Sequence, residues 1–162
     1  MKRTELYLGF GSNEGDRAEN IRRAVALMDG FLGVRHSAIS EIIETQAWHF
    51  DGNRFFNCVV SYDIPDAGQD PALYCLGVLR YCKQTEHQLG RKDKEEYGAD
   101  GDRVYHNRPI DVDIILYGGY HIETKELCVP HRLAPERDFV LIPLRQIASN
   151  RMKQIFPWIT GI

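Results

Sequence analysis

Asp111 and Asp113 lie two residues apart in a β-branched, apolar run that ends at Leu116. Such a run is typical of a β-strand, on which alternate side chains share a face, so both carboxylates would point the same way. Their Cα atoms would be roughly 6.5–7 Å apart. At that distance the two charges repel each other unless a cation lies nearby. One divalent ion, or two ions about 3.5–4 Å apart, would fit this geometry, which indicates a metal or phosphate site.

The same spacing is also compatible with a plain structural role for the two aspartates. On a strand at the edge of a sheet, both side chains could simply lie in water. The apolar neighbours Val112, Ile114 and Leu116 favour a mostly buried strand instead, where an unpaired carboxylate is costly. On the local residues alone, the metal or phosphate site and the solvated pair stand as comparable hypotheses.

Cationic side chains are found on both sides of the aspartate pair along the chain. Arg91 follows a predicted helix and Arg108 precedes the pair, while His131, Arg132 and Arg137 follow it. Each alone would more often be a surface residue. Together with the carboxylates they form the mixture that phosphoryl transfer requires, in which carboxylates hold Mg²⁺ and arginines neutralise phosphate oxygens. This chemistry requires no covalent catalytic set such as Ser–His–Asp.

A second group of residues could recognise a flat ligand. Asn57 lies within an apolar strand pattern and must find a hydrogen-bond partner if it is buried, either the backbone or the edge of a heterocycle. Phe55 and Phe139 either pack in the core or stack on a ring. Trp48 lies in a polar loop and could cover a ligand.

Hydrophobic periodicity predicts the elements that must position these residues. The predicted strands are 6–10, 55–64 and the aspartate run, and the predicted helices are 20–32, 73–89 and a segment that starts at 135. The charged stretch 91–107 is predicted to be a long mobile loop, and Gly118-Gly119 a hairpin turn. This order of elements predicts an α+β fold in which one sheet is covered by helices.

Length and composition limit the class of protein. A chain of 162 residues, 43% hydrophobic and 27% charged, is expected to form one domain over 1–162. A formal net charge of −3 argues against nucleic-acid binding, and no run approaches the roughly 18 apolar residues of a membrane span. The chain starts with an apparent strand rather than a signal region, and its four cysteines lack C-x-x-C spacing. We therefore expect reduced thiols and a cytoplasmic location.

Several stretches, taken in order, resemble the 6-hydroxymethyl-7,8-dihydropterin pyrophosphokinases of folate synthesis. The stretch LGFGSNEGDR (8–17) resembles the N-terminal signature of that family, and FFNCVV (55–60) resembles its second signature. The series is completed by Glu86, LGR (89–91), Arg108 with DVDI (111–114), VPH (129–131) and RDFVL (137–141). The similarity extends from residue 6 to about residue 148.

The resemblance implies a Mg²⁺-dependent transfer of diphosphate from ATP to the hydroxymethyl group of the pterin, which releases AMP. It also implies a ferredoxin-like α+β sandwich with one mainly antiparallel sheet, and two bound Mg²⁺ ions. ATP and 6-hydroxymethyl-7,8-dihydropterin are the expected partners, and we expect a monomer.

The resemblance also assigns roles to individual residues. The metal ligands are Asp111 and Asp113, which act in catalysis together with Arg91 and Arg108. The ATP-binding residues are Glu86, Arg91, Tyr105, Arg108, Ile114, Leu127, Cys128, His131 and Arg137. The pterin-binding residues are Thr45, Gln46, Trp48, Phe55, Asn57, Asp111 and Phe139.

The chain departs from the family pattern at several positions. His106 and Asn107 stand where Gly-Pro is common, Tyr105 replaces a frequent Trp, and Arg132 replaces a frequent aromatic residue. The loop between Arg91 and Arg108 is longer than in familiar members. Two alternatives stay open: a related fold that binds pterin or nucleotide without catalysis, and a different Mg²⁺-dependent nucleotidyl or phosphoryl transferase.

Overall fold

A computed structural model describes residues 2–47, 52–91, 96–97, 99, 103–104 and 107–161. The strands are β1 (Arg3–Ser12), β2 (Ala38–Ile39), β3 (Ile43–Thr45), β4 (Phe55–Pro65), β5 (Glu96–Tyr97), β6 (Arg103–Val104), β7 (Asp111–Tyr117), β8 (Ile122–Glu123) and β9 (Cys128–Val129). The α-helices are α1 (Arg17–Leu32), α2 (Pro71–Gln88), α3 (Asp138–Ile147) and α4 (Asn150–Ile155), and short 3₁₀ helices span Ala134–Glu136 and Pro157–Ile159.

The main sheet is antiparallel throughout and has the order β2-β4-β1-β7, with β3 also paired to β4. The chain crosses from β1 to β2 through α1 and from β4 to β7 through α2. This βαββαβ order, with β1 and β4 in the centre, is ferredoxin-like, and the α+β prediction is confirmed.

Each face of the sheet is covered by helices, because the side chains of β1 alternate between two apolar clusters. Leu6, Leu8 and Phe10 pack with buried residues of α1 and α2. Tyr7 packs on the opposite face with buried residues of α3 and α4. Both long helices start at an aspartate cap, since Asp16 accepts from the backbone N–H of Glu19 and Asp70 from that of Leu73.

The segment after β7 differs from the sequence prediction. The chain turns at Gly118, whose φ is 48°, but β8 pairs with β9 in a separate two-stranded sheet rather than with β7. The predicted hairpin is therefore wrong, and β7 ends the main sheet as its outer strand. Within the stretch predicted as a loop, the structure describes a short pairing of β5 with β6.

A β-bulge lies at Ile115, where the register of β7 against β1 shifts between Tyr7 and Leu8. Because of this extra residue, Ile115 and Leu116 both belong to the apolar cluster under α3 and α4. The carbonyl of Ile115 accepts from the backbone N–H of His131 at 2.9 Å. The bulge thus ties the segment after β9 to the sheet.

The four cysteines are free thiols, as expected from their spacing. None of the helices in the described part of the chain is both long and apolar enough to cross a membrane.

Candidate active site

A cleft of about 300 Å³ opens beside the start of β7, between the last turns of α2 and the first turn of α3. Its walls combine carboxylates and cations with two aromatic rings and polar side chains. The lining residues are Thr45, Gln46, Phe55, Asn57, Leu79, Cys82, Lys83, Glu86, Arg91, Arg108, Asp111, Val112, Asp113, His131, Leu133, Arg137 and Phe139. The sequence therefore predicted most of the charged and aromatic residues that meet here.

Two glycines of β1 separate the two sides of this region. Gly11 lies opposite Asn57 on β4 and opposite Asp111 on β7, and Gly9 lies opposite Asp113. A Cβ atom on Gly11 would lie 2.9 Å from Asn57 Oδ1, closer than real Cβ contacts allow. Because Gly9 and Gly11 have no side chains, this part of β1 is a bare strand, and the space between the Asn57 side and the aspartate side stays open.

The two aspartates share one face of β7, as the sequence predicted. Asp111 and Asp113 are both half-buried, whereas Val112 between them is 2% exposed in the core on the other face. The alternative hypothesis was an edge strand with both aspartates in water. β7 is indeed at the edge of the sheet. Asp111 is not simply solvated, however, because its carboxylate is paired with arginine.

Arg91 links two carboxylates. Its Nη1 donates to Asp111 Oδ1 at 2.7 Å and to Glu86 Oε2 at 2.8 Å. Arg108 Nη1 lies 3.8 Å from Asp111 Oδ2. Burial alone would raise the pKa of Asp111, but the guanidinium groups of Arg91 and Arg108 outweigh it and hold this pKa below its ordinary value.

Glu86 is a buried carboxylate, 2% exposed. Its Oε2 also accepts from the backbone N–H of Val112 at 2.9 Å, a donor on the outer strand of the sheet. Its Oε1 has no hydrogen-bond partner among the described residues. Burial, followed by the nearby charge of Asp111, raises the pKa of Glu86 to about 8. Glu86 therefore holds a proton near neutral pH, which allows Oε1 to donate.

Asp113 is the carboxylate of the pair whose pKa is raised rather than lowered. Burial and the adjacent charge of Asp111 raise its pKa to about 7, against the opposing effect of Arg137 and Arg91. A bound cation at this face would relieve the repulsion and keep both aspartates ionised.

His131 enters the cleft as a neutral imidazole. Burial, with the charge of Arg137, lowers its pKa to about 4. Its Nδ1 accepts from the backbone N–H of Leu133 at 3.2 Å, which assigns the proton to Nε2. At neutral pH this residue can therefore donate one hydrogen bond from Nε2.

One part of the cleft wall carries an amide and two aromatic rings. Asn57 is 6% exposed, and its Nδ2 donates to Thr45 Oγ1 at 2.8 Å, which orients the amide. Phe55 and Phe139 both line the cleft, and the guanidinium of Arg137 lies 5.3 Å from the centroid of the Phe139 ring. An oriented amide beside aromatic rings can read the edge of a heterocycle while the rings stack on it.

Some residues assigned from the resemblance are not part of the cleft wall. Ile114 is buried in the core with α1 and α2, and Leu127 packs against the same cluster. Cys128 is half-buried in β9, and its thiol donates to the carbonyl of Pro130. Trp48 and Tyr105 lie outside the described residues. The roles of these five residues stay predictions, as do those of the residues that line the cleft.

Other residues at the cleft were not singled out from the sequence. Leu79, Cys82 and Lys83 line it from the α2 side, and Leu133 lines it after β9. The three on α2 lie three, four or seven residues before Glu86, so helical spacing places all of them on its face of the helix. That helical spacing is the feature of the sequence from which Leu79, Cys82 and Lys83 could have been predicted. The space that Gly9 and Gly11 leave open could not be predicted without the pairing of β1 to both neighbours.

The fold and the cleft define a class: ferredoxin-like α+β proteins with carboxylates and arginines arranged for phosphoryl transfer. A sequence model of 7,8-dihydro-6-hydroxymethylpterin-pyrophosphokinase matches residues 7–149, and the chain belongs to this family.

Similar proteins agree with this membership. A 2-amino-4-hydroxy-6-hydroxymethyldihydropteridine pyrophosphokinase of Aquifex aeolicus is 34% identical over 152 residues, which is 93% of this chain and 84% of the relative. One of the same name from Bacillus subtilis is 34% identical over 149 residues, 91% of this chain and 80% of the relative. A crystal structure of HPPK-DHPS in complex with substrates shares the fold, with a TM-score of 0.61 at 14% identity; the match covers 91% of this chain and 40% of that one.

Proposed function

We propose that this protein transfers diphosphate from ATP to the hydroxymethyl group of 6-hydroxymethyl-7,8-dihydropterin, with release of AMP, in folate biosynthesis. The observation that carries the proposal is the cleft of a family member in which Asp111, Asp113, Arg91 and Arg108 face Asn57 across a bare strand. One side has the charges that a triphosphate requires, and the other has the amide and rings that a pterin requires.

In the proposed reaction, the hydroxymethyl group releases its hydroxyl proton to water, and its oxygen forms a bond to the β-phosphorus of ATP. The bond from that phosphorus to the oxygen bridging to the α-phosphorus breaks, and AMP leaves. Arg91 and Arg108 neutralise charge on the transferred group, and His131 donates from Nε2 to a phosphate oxygen. Asn57 reads the pterin edge, while Phe55 and Phe139 stack on its two faces. Thr45 and Gln46 also contact the pterin, and Glu86 and Arg137 contact ATP.

We also propose that Asp111 and Asp113 hold Mg²⁺, with two ions in the complete complex. Within the described ranges, no group of three or more His, Cys, Asp or Glu side chains could enclose a metal ion. The two carboxylates of Asp111 and Asp113 fit Mg²⁺, which commonly uses one or two carboxylates and takes its other ligands from substrate phosphates and water. The raised pKa of Asp113 supports the same assignment. When bound, Mg²⁺ would neutralise and orient the triphosphate.

We infer that the protein acts as a monomeric single domain in the cytoplasm. The free thiols suit a reducing compartment.

An assay of the nucleotide product tests the reaction. The protein is incubated with ATP, Mg²⁺ and 6-hydroxymethyl-7,8-dihydropterin, and AMP and ADP are separated. We expect AMP to form only when the pterin is present. Formation of ADP would indicate a different phosphoryl transferase, and tight pterin binding without turnover would indicate a binding protein.

Asp113→Asn tests the metal assignment. The amide removes the charge but keeps the size of the side chain, so we expect kcat to fall by at least about 100-fold, with the melting temperature retained. Asp63→Asn is the matched control, because Asp63 lies on β4 with its side chain 61% exposed, and its activity should equal that of the wild type. If Asp113→Asn kept its activity, Asp113 would not be a metal ligand.

A further inference from the structure

Three asparagines form a hydrogen-bonded cluster that joins segments leading to the two sides of the cleft: Asn13 after β1, Asn53 before β4, and Asn107 before Arg108. Asn13 is 1% exposed, whereas Asn53 and Asn107 are exposed. The asparagine cluster connects segments that are 40 and 54 residues apart in sequence. None of these three residues lines the cleft.

Asn13 fixes the backbone of Arg108. Its Oδ1 accepts from the backbone N–H of Arg108 at 2.7 Å, and its own backbone N–H donates to the carbonyl of Arg108 at 3.1 Å. Both polar backbone groups of a cleft arginine are thus held by one buried residue. The position of Arg108 depends on that of Asn13.

Asn53 is held against Asn13 by two reciprocal hydrogen bonds. Its Nδ2 donates to the carbonyl of Asn13 at 3.2 Å, and its carbonyl accepts from Asn13 Nδ2 at 3.0 Å. Asn53 lies two residues before Phe55 and four before Asn57, the two residues that we place on the pterin. The asparagine cluster therefore holds the backbone of Arg108 on one side of the cleft and the segment that leads into Phe55 on the other.

Asn107 closes the cluster through a single oxygen atom. Its Oδ1 accepts from Asn13 Nδ2 at 2.8 Å and from the backbone N–H of Asn53 at 3.0 Å. This one acceptor joins the residue next to Arg108 directly to the segment that leads into Phe55. A proline at this position would have no side-chain acceptor with which to make either bond.

We propose, on the basis of the function proposed above, that Asn107 is a positioning residue that couples the nucleotide side of the cleft to the pterin side. A nucleotide that binds Arg108 also restrains its neighbour Asn107. Asn107 Oδ1 then keeps the backbone of Asn53, two residues before Phe55, in the position that the pterin requires. The coupling is a difference in binding free energy between the two ligands, and it is reciprocal.

Binding of 6-hydroxymethylpterin is measured by calorimetry with and without saturating Mg²⁺ and α,β-methylene-ATP, whose α–β bridge cannot be cleaved by the transfer. The ratio of the two dissociation constants is the coupling. We expect the wild type to bind the pterin more tightly with the nucleotide, and Asn107→Ala to reduce the ratio by about three- to ten-fold, the effect of one or two lost hydrogen bonds. Asn107→Asp, which keeps the acceptor oxygen, should retain the ratio.

Asn150→Ala is the matched control, because Asn150 is an exposed asparagine at the start of α4, and its ratio should equal that of the wild type. An unchanged ratio in Asn107→Ala, or an equal reduction in Asn107→Asp, would overturn the coupling role, even if the melting temperature fell. A wild type that binds both ligands with a ratio of one would also overturn it. A wild type that fails to bind the pterin would overturn the proposed function and the coupling role together.

Discussion

At the scale of single residues, the chemistry of the cleft depends on how each charge is compensated. Glu86 is held away from water, yet its Oε2 satisfies both Arg91 and the outer N–H of Val112. An unpaired N–H at that buried position would cost about 1–3 kcal/mol. Glu86 therefore stabilises the start of β7, the strand that presents the aspartates.

The sequence predicted some of these residues and could not predict others. Spacing on a strand was sufficient to place Asp111 and Asp113 on one face, since a strand alternates with a period of two. The contacts of Asn13 with Arg108 and of Gly11 with Asn57 connect residues 95 and 46 positions apart. No local pattern encodes such distant pairs, so the asparagine cluster and the bare strand required the fold.

Gly11→Ala tests the importance of that bare strand. The new Cβ would meet Asn57 Oδ1 at 2.9 Å, and moving Asn57 would disturb its hydrogen bond to Thr45. We expect pterin affinity to fall by about ten-fold, with the affinity for Mg²⁺ and ATP much less affected. Calorimetric titration of each ligand measures both effects.

Gly30→Ala is the control for a glycine replacement, because no atom lies within 4 Å of a Cβ at this position in α1. It should raise the free energy of unfolding by about 0.5–1 kcal/mol and leave pterin affinity unchanged. Equal pterin affinities for Gly11→Ala and the wild type would show that Asn57 can move without loss of binding.

At the scale of elements, β1 connects the site to the opposite end of the sheet. Periodicity predicted this strand and helices α1 and α2, because their apolar positions repeat locally. It could not predict the bulge at Ile115 or the pairing of β8 with β9, which depend on hydrogen bonds between distant segments. The carbonyl of Ile115 at the bulge accepts from the backbone N–H of His131, which lines the cleft. The sequence could therefore name His131 as a candidate but could not predict this contact.

The other end of β1 carries a polar network that fixes α4. Ser149 caps this helix by accepting from the backbone N–H of Met152 at 3.2 Å, and its hydroxyl donates to Glu5 Oε2 at 3.0 Å. Tyr7 donates from its hydroxyl to Glu5 Oε1 at 2.6 Å and accepts from the backbone N–H of Ser149 at 3.1 Å. The network anchors the helical layer to the sheet.

Ser149→Ala is expected to lower the free energy of unfolding by about 1–2 kcal/mol, because it removes the cap and one hydrogen bond of the network. Urea denaturation measures the change. Ser149→Thr keeps the hydroxyl and should retain most of the stability. We expect kcat to stay unchanged in both variants, because Glu5 and Tyr7 precede the bare part of β1. A large loss of kcat in Ser149→Ala would mean that α4 positions the cleft.

At the scale of the whole molecule, the site reduces the stability of the fold at alkaline pH. Glu86 and Asp113 have pKa values of about 8 and about 7 in the folded protein, above the ordinary values of 4.5 and 3.8. The folded state therefore holds protons that the unfolded state has released. The stability contributed by these groups is fully present below their ordinary pKa values and is lost as the pH rises through 7 and 8. The charge arrangement that suits a phosphate site has this cost when no ligand is bound.

Glu86→Gln isolates one of these two groups. Glutamine cannot titrate, so the metal-free variant should lose less stability than the wild type between pH 5 and pH 9. The curves of the free energy of unfolding against pH for the two proteins should therefore converge or cross. Urea denaturation with a chelator at each pH gives the free energies of unfolding, and we expect the difference between the proteins to change by more than about 1 kcal/mol in favour of the variant. Glu123→Gln should run parallel to the wild type, because its side chain is 77% exposed. Parallel curves for Glu86→Gln would show that Glu86 is ionised in the folded protein throughout this range, and that its contact with Arg91 outweighs its burial.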